Sequence, residues 1–202
     1  MSASGKQLFL VERVAAFQKI IAGCEVTRRE GSILDLERGM GLLLEKIEQA
    51  RERSACVYVV GNGGSASVAS HMVVDLLNVA KVRAFALHDA SVMTCMANDY
   101  GYDNAFANIL STAAVEGDLL IAISSSGRSQ NIRNAVTRMR QLGGESITLS
   151  SFASDNPLRS LGDLNVWLDS DDYGYVEVGH QFVLHNVIDR FAANQRECSF
   201  DD

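Results

Sequence analysis

Five short apolar runs, Val57 to Val60, Arg83 to Leu87, Leu119 to Ile123, Ser146 to Leu149 and Val166 to Leu168, alternate with longer segments of helical spacing. No other feature constrains the chain as much. Strands buried on both faces read as unbroken apolar runs, and parallel neighbours need a helix to cross between them. The pattern therefore predicts an α/β fold with a five-stranded parallel sheet. Ligands of such sheets collect beyond the carboxyl ends of the strands, so chemistry is expected after Val60, Leu87, Ile123, Leu149 and Leu168.

Ahead of these runs, Leu8, Val11, Val14, Ala15, Phe17, Ile20 and Ile21 keep helical spacing up to Gly23. A second helix is expected to open near Ser32 as N-cap and to carry Ile33, Leu36, Met40, Leu43, Leu44 and Ile47 towards Arg51-Glu52-Arg53. Two helices before any strand have no sheet of their own, so part of their apolar stripe is expected to pack on another copy of the chain. At 202 residues with a single proline, one domain is expected, with helices over 1–54 and an α/β core over 55–195. The net charge of -7 disfavours a nucleic-acid surface. No apolar run approaches the roughly 20 residues of a membrane span, and the N-terminus lacks a signal peptide's pattern, so a cytoplasmic protein is expected. Cys24, Cys56, Cys95 and Cys198 are too widely spaced for a zinc ribbon or a disulfide framework, and read as packing residues.

Two loops carry the chemistry. Gly61-Asn62-Gly63-Gly64-Ser65 joins the first parallel strand to a helix, and Ser124-Ser125-Ser126-Gly127-Arg128-Ser129 does the same after Ile123. Serine hydroxyls and uncapped helix amides together suit a phosphate monoester. One serine would serve as a cap, whereas four exceed that need. The glycine loop has neither the Walker lysine nor the full dinucleotide spacing, which excludes a nucleotide reading. His71 and Asp75 stand at i,i+4 and share a helix face, where they could hold a metal together. His88 reads as structural, and Asp169, Asp171 and Asp172 as the acidic start of the last helix.

Gly61-Asn62-Gly63-Gly64-Ser65, His71, Asn98-Asp99-x-Gly101-Tyr102 and Ser124-Ser125-Ser126-Gly127-x-Ser129, in this order, resemble the sugar-isomerase (SIS) domain proteins, most closely the phosphoheptose isomerase group. The resemblance implies a flavodoxin-like three-layer sandwich and a homotetramer with sites between subunits. It also implies isomerisation of sedoheptulose 7-phosphate to an aldose phosphate, often with zinc. It assigns sugar contacts to Asn62, Gly63, Gly64, Ser65, Asn98 and Asp99, and phosphate contacts to Ser124, Ser125, Ser126 and Ser129.

The family's metal helix pairs a histidine with a glutamate, matched here by His71 and the shorter Asp75. Its last helix carries a glutamine and, eight residues later, a histidine. Aligned through Tyr173-Gly174-Tyr175, these fall on His180 and Ile188. The expected metal set is therefore His71, Asp75 and His180, with Asp75, His180 and Glu177 as acid/base candidates and His185 undecided. Because Ile188 stands where the family has histidine, a non-catalytic sugar-phosphate or protein-binding regulator is the alternative expectation.

Overall fold

The structure is a computed structural model in which residues 8 to 198 are described, with side chains as far as residue 194. Its elements run α1 (Leu10–Ala22), β1 (Glu25–Arg28), β2 (Ile33–Leu34), α2 (Leu36–Glu52), β3 (Cys56–Val60), α3 (Gly64–Asn78), β4 (Arg83–Ala86), α4 (Ala90–Tyr100), α5 (Ala105–Ala113), β5 (Leu119–Ile123), α6 (Gln130–Gln141), β6 (Glu145–Ser150), β7 (Leu164–Trp167) and α7 (Tyr173–Cys198). All the strands form one sheet in the order β2-β1-β7-β6-β5-β3-β4. The five from β7 to β4 pair in parallel, and they are the five apolar runs of the sequence.

The other two strands correct an expectation. β1 and β2 form an antiparallel hairpin that extends the sheet through β7, so a strand pair separates the two leading helices. Ser32 is not the cap of the second helix. Asp35 is, accepting from the Arg38 N–H at 3.1 Å. The signal was present in Glu25-Val26-Thr27-Arg28, a short β-branched run followed by a turn with Gly31 at φ +87°.

Period two along the strands divides the core. Val57, Val59, Leu119, Ile121, Ile123, Ile147 and Leu149 pack on α2, α3 and α7 through Met40, Leu44, Ile47, Met72, Leu76, Val187 and Phe191. Cys56, Tyr58, Val60, Leu120 and Ala122 pack on α5 and α6 through Phe106, Leu110, Ile132, Val136 and Met139. This is a three-layer sandwich. α2 covers the sheet of its own chain, contrary to the expectation for both leading helices. α1 differs from α2, since none of its residues is buried and Leu10, Val11 and Val14 lie exposed. It meets α7 through an edge-on contact of Phe17 with Phe182. Cys24 and Cys56 are buried and Cys95 is exposed, while Cys198 lies outside the described side chains.

One place in this topology is prepared for a ligand. β3 and β5 are neighbours, with Val60 level with Ala122, yet β3 continues into α3 on one face and β5 into α6 on the other. Connections that leave in opposite directions open a crevice at the carboxyl ends of the two strands. Both chemically equipped loops border it.

Candidate active site

A pocket in this crevice is lined by Asn62, Ser65, Ser124, Ser125, Ser126, Ser129, Tyr173 and Glu177. The serine loop folds on itself. The Gly127 N–H donates to the Ser124 carbonyl at 2.9 Å, the Ser151 N–H to the Ser125 carbonyl at 2.8 Å, and Ser124 Oγ to Ser129 Oγ at 3.1 Å. Ser129 is the N-cap of α6 but its side chain caps no amide; the Ile132 N–H is taken by Asn131 Oδ1 at 3.0 Å, which leaves the Gln130 and Asn131 amides of the first turn for a ligand. Four hydroxyls and a positive helix end therefore line one wall, an arrangement suited to a phosphate.

The glycine turn forms the opposite wall. Gly63 sits at φ +55°, a backbone region that side chains disfavour. Gly64 is needed for a different reason. A Cβ there would come within 2.3 Å of the Glu177 carboxyl atoms, so its absence is what lets Glu177 reach across from α7 to the start of α3. His88 steadies the turn from behind, with Nε2 3.0 Å from the Gly61 carbonyl, and burial pushes its pKa below the usual histidine value.

About two turns further along α3, some 10 Å by helix rise, a second group assembles. Asp75 Oδ2 lies 3.6 Å from His71 Nε2 and 3.3 Å from His185 Nδ1, and the two imidazole rings are 4.7 Å apart. Among the described residues, these three form the cluster of metal-capable side chains, with ligand atoms all within 4.8 Å of one another. Asp75 Oδ2 is buried yet accepts no hydrogen bond. Donor atoms around a tetrahedral zinc, with bonds of about 2.0–2.2 Å, stand about 3.3–3.6 Å apart, so the residues present fit an ion.

His180 is not part of this cluster. It is fully buried, with Nε2 3.2 Å from the Ser150 carbonyl and 3.5 Å from Ser151 Oγ. It belongs to the stripe Val176, His180, Val183, Val187 that packs onto the sheet, and that helical spacing was the signal that could have placed it in the core. Ile188 is core as well. The two residues of α7 that face the site are Glu177 and His185, eight apart, the interval the family resemblance calls for. They stand three residues before His180 and Ile188, the positions expected from the Tyr173-Gly174-Tyr175 lead-in. With His185 in place, the missing histidine no longer argues for a non-catalytic protein, and the shorter carboxylate of Asp75 is the departure that remains.

Burial pushes the His180 pKa down to about 4, partly opposed by the Ser150 carbonyl, so the folded imidazole is neutral. The unfolded chain takes up this proton near the ordinary value of 6.5. Stability is therefore complete above that pH and is lost as pH falls towards about 4, by about 3 kcal/mol at the limit. Melting temperatures across this window should fall less steeply in His180→Leu than in the wild type, and equal slopes would contradict the assignment.

Other expected residues are placed as follows. Asp172 receives the Gly174 N–H at 2.8 Å at the start of α7 and pairs with Arg13 at 3.1 Å. Asn98 and Asp99 lie on α4, where no residue is buried, and Asn98 donates to Asp99 rather than lining the pocket of its own chain. The sequence reading missed Tyr173 as a wall of the pocket and Asn131, which bonds to Asn62 from α6.

The SIS domain family matches residues 33–151. The phosphoheptose isomerase of Helicobacter pylori strain Shi470 is 31% identical over 175 residues, covering 82% of this chain and 91% of the relative. That of Helicobacter pylori strain ATCC 700392 / 26695 is 34% identical over 167 residues, covering 79% and 84%. Among solved structures, the phosphoheptose isomerase of Neisseria gonorrhoeae superposes with a TM-score of 0.77 at 23% identity, covering 92% of this chain and all of the other. With this crevice, these two loops and these relatives, the chain belongs to the SIS-domain family, alongside the phosphoheptose isomerases.

Proposed function

We propose that the protein is an aldose-ketose isomerase that interconverts sedoheptulose 7-phosphate and D-glycero-D-manno-heptose 7-phosphate. The observation that carries the reading is the combination of a serine-lined phosphate wall with a His71–Asp75–His185 cluster, in which His71 and Asp75 stand about two turns or more along α3, the helix that opens at the facing glycine wall, and His185 comes from α7. A sugar chain held by its phosphate at the serine wall would run past Asn62 and Glu177, which line the same pocket, towards the cluster. The names of the relatives support the heptose in particular.

Isomerisation moves a proton between adjacent carbons through an enediol, which requires a base and a group that polarises the carbonyl. In this reading Ser124, Ser125, Ser126, Ser129 and the first amides of α6 hold the phosphate. Asn62 and the backbone of Gly63, Gly64 and Ser65 contact the sugar. Glu177 and Asp75 are the carboxylates available for proton transfer, and His185 and His71 orient Asp75. His71, Asp75 and His185 would hold a zinc ion, which when bound would polarise the carbonyl as a Lewis acid.

The assembly we propose is a homotetramer with sites completed between subunits. Two observations support it: Val74 and Leu77 are exposed on α3, and Asn98 and Asp99, on a helix with no buried residue, do not line the pocket of their own chain. No described helix is long and apolar enough to cross a membrane, and a cytoplasmic location is part of the proposal.

The phosphate wall supplies the test. Several charge-assisted hydrogen bonds, each worth about 1.5–3 kcal/mol, should make kcat/KM for sedoheptulose 7-phosphate at least about 100-fold greater than for unphosphorylated sedoheptulose. Equal turnover of the two, or none of the phosphate, would contradict the reading.

A further inference from the structure

The Asn98-Asp99-x-Gly101-Tyr102 motif reaches the site through its last member. Tyr102 Oη donates to Asn62 Oδ1 at 2.7 Å. From α6, Asn131, only 2% exposed, meets Asn62 in a reciprocal amide pair: Asn131 Nδ2 donates to Asn62 Oδ1 at 2.9 Å, and Asn62 Nδ2 donates to Asn131 Oδ1 at 2.9 Å. The backbone fixes the sense of this pair. Ile132 N–H donates to Asn131 Oδ1 at 3.0 Å, so that atom must be the oxygen. It follows that Asn131 presents its nitrogen to Asn62, and that the Asn62 atom receiving both Asn131 and Tyr102 is the oxygen.

The count then closes. Both lone pairs of Asn62 Oδ1 are used, and one of its two Nδ2–H bonds is committed to Asn131. What remains for the pocket it lines is a single N–H. A free asparagine side chain could offer either its oxygen or its nitrogen, whereas this one is locked as a donor.

We infer that Tyr102 and Asn131 are positioning residues that hold Asn62 as a donor-only contact for the substrate oxygen that gains negative charge as the enediol forms; the inference rests on the isomerase reading above. A pre-oriented donor of this kind acts mainly in the transition state, so its loss lowers kcat more than it changes KM.

The test is a set of variants assayed with sedoheptulose 7-phosphate. Tyr102→Phe removes the hydroxyl from an exposed ring and should lower kcat about 10-fold with KM within about twofold. Asn131→Asp keeps the acceptor for Ile132 but sets an oxygen against Asn62 Oδ1, breaking the reciprocal pair and releasing the Asn62 amide from its fixed orientation, and should cost about 100-fold in kcat. In an Asn62→Ala background Tyr102→Phe should have no further effect on kcat. An undiminished effect there, or a rise in KM alone, would overturn the proposal.

The second readout needs no turnover. The side-chain amide resonances of Asn62 should shift in Tyr102→Phe and shift further in Asn131→Asp, and resonances unmoved by either change would also overturn the inference. Wild-type protein that shows these shifts but isomerises no sugar phosphate would bring down the isomerase reading and leave the locked amide standing.

Discussion

Replacing Asp75 with asparagine is expected to lower turnover of sedoheptulose 7-phosphate by about 1,000-fold. Its Oδ2 stands between His71 Nε2 and His185 Nδ1 without accepting a hydrogen bond, so this oxygen is the hub of the cluster. An amide removes the charge that both imidazoles face and offers a poorer ligand and no base, and acid-base catalysis alone is worth about 10²–10⁴-fold. Asparagine matches aspartate in shape, so the fold should survive. Glutamate, the residue the family carries at this position, should recover activity to within about 10-fold of the wild type, because one methylene is the only difference. Steady-state kinetics check both, with zinc content as the companion measurement. Wild-type turnover in Asp75→Asn would remove the residue from the chemistry.

The second large effect is expected at Glu177 and can be reached in two ways. Glu177→Gln should reduce kcat about 100-fold, since the carboxylate on the pocket wall becomes a neutral amide of the same size. Gly64→Ala should act through the same group. Gly64 is in helical conformation, so alanine is tolerated or favoured by the backbone, but the new methyl would occupy the space held by the Glu177 carboxyl atoms, within 2.3 Å. Glu177 is the far end of a flexible chain and can withdraw at little cost. The melting temperature should therefore change by no more than about 2 °C while kcat falls at least about 10-fold. Combined, the two changes should cost little more than Glu177→Gln alone, because both remove one carboxylate from one place. Additive losses would mean that Gly64 and Glu177 act separately.

Much of this was legible before any coordinates. The five parallel strands announce themselves as apolar runs because both of their faces are buried, and the glycine and serine loops sit where such a sheet opens. His71 and Asp75 were readable as a pair because one helix face brings them together. The hairpin was harder, since β2 is two residues long and Glu25 to Arg28 is too short to show a period.

The last helix misled for a physical reason. Its histidines, five apart, lie on different faces, and an alignment anchored at Tyr173-Gly174-Tyr175 cannot tell which face turns to the sheet. Burial decides it. His180 follows Val176 and precedes Val183 and Val187 along the covered stripe, leaving Glu177 and His185 towards α3. The orientation of Asn62 was not legible at all, because it depends on a backbone amide of α6 far along the chain.

The central claim is that one crevice binds a ketose phosphate by its phosphate and moves a proton between its first two carbons. Its most direct test is to incubate wild-type protein with sedoheptulose 7-phosphate in deuterated water and to follow deuterium at the carbon next to the carbonyl. The account predicts incorporation that accompanies formation of the aldose and nearly disappears in Asp75→Asn. Sugar phosphate that binds yet gains no deuterium and yields no aldose would contradict it.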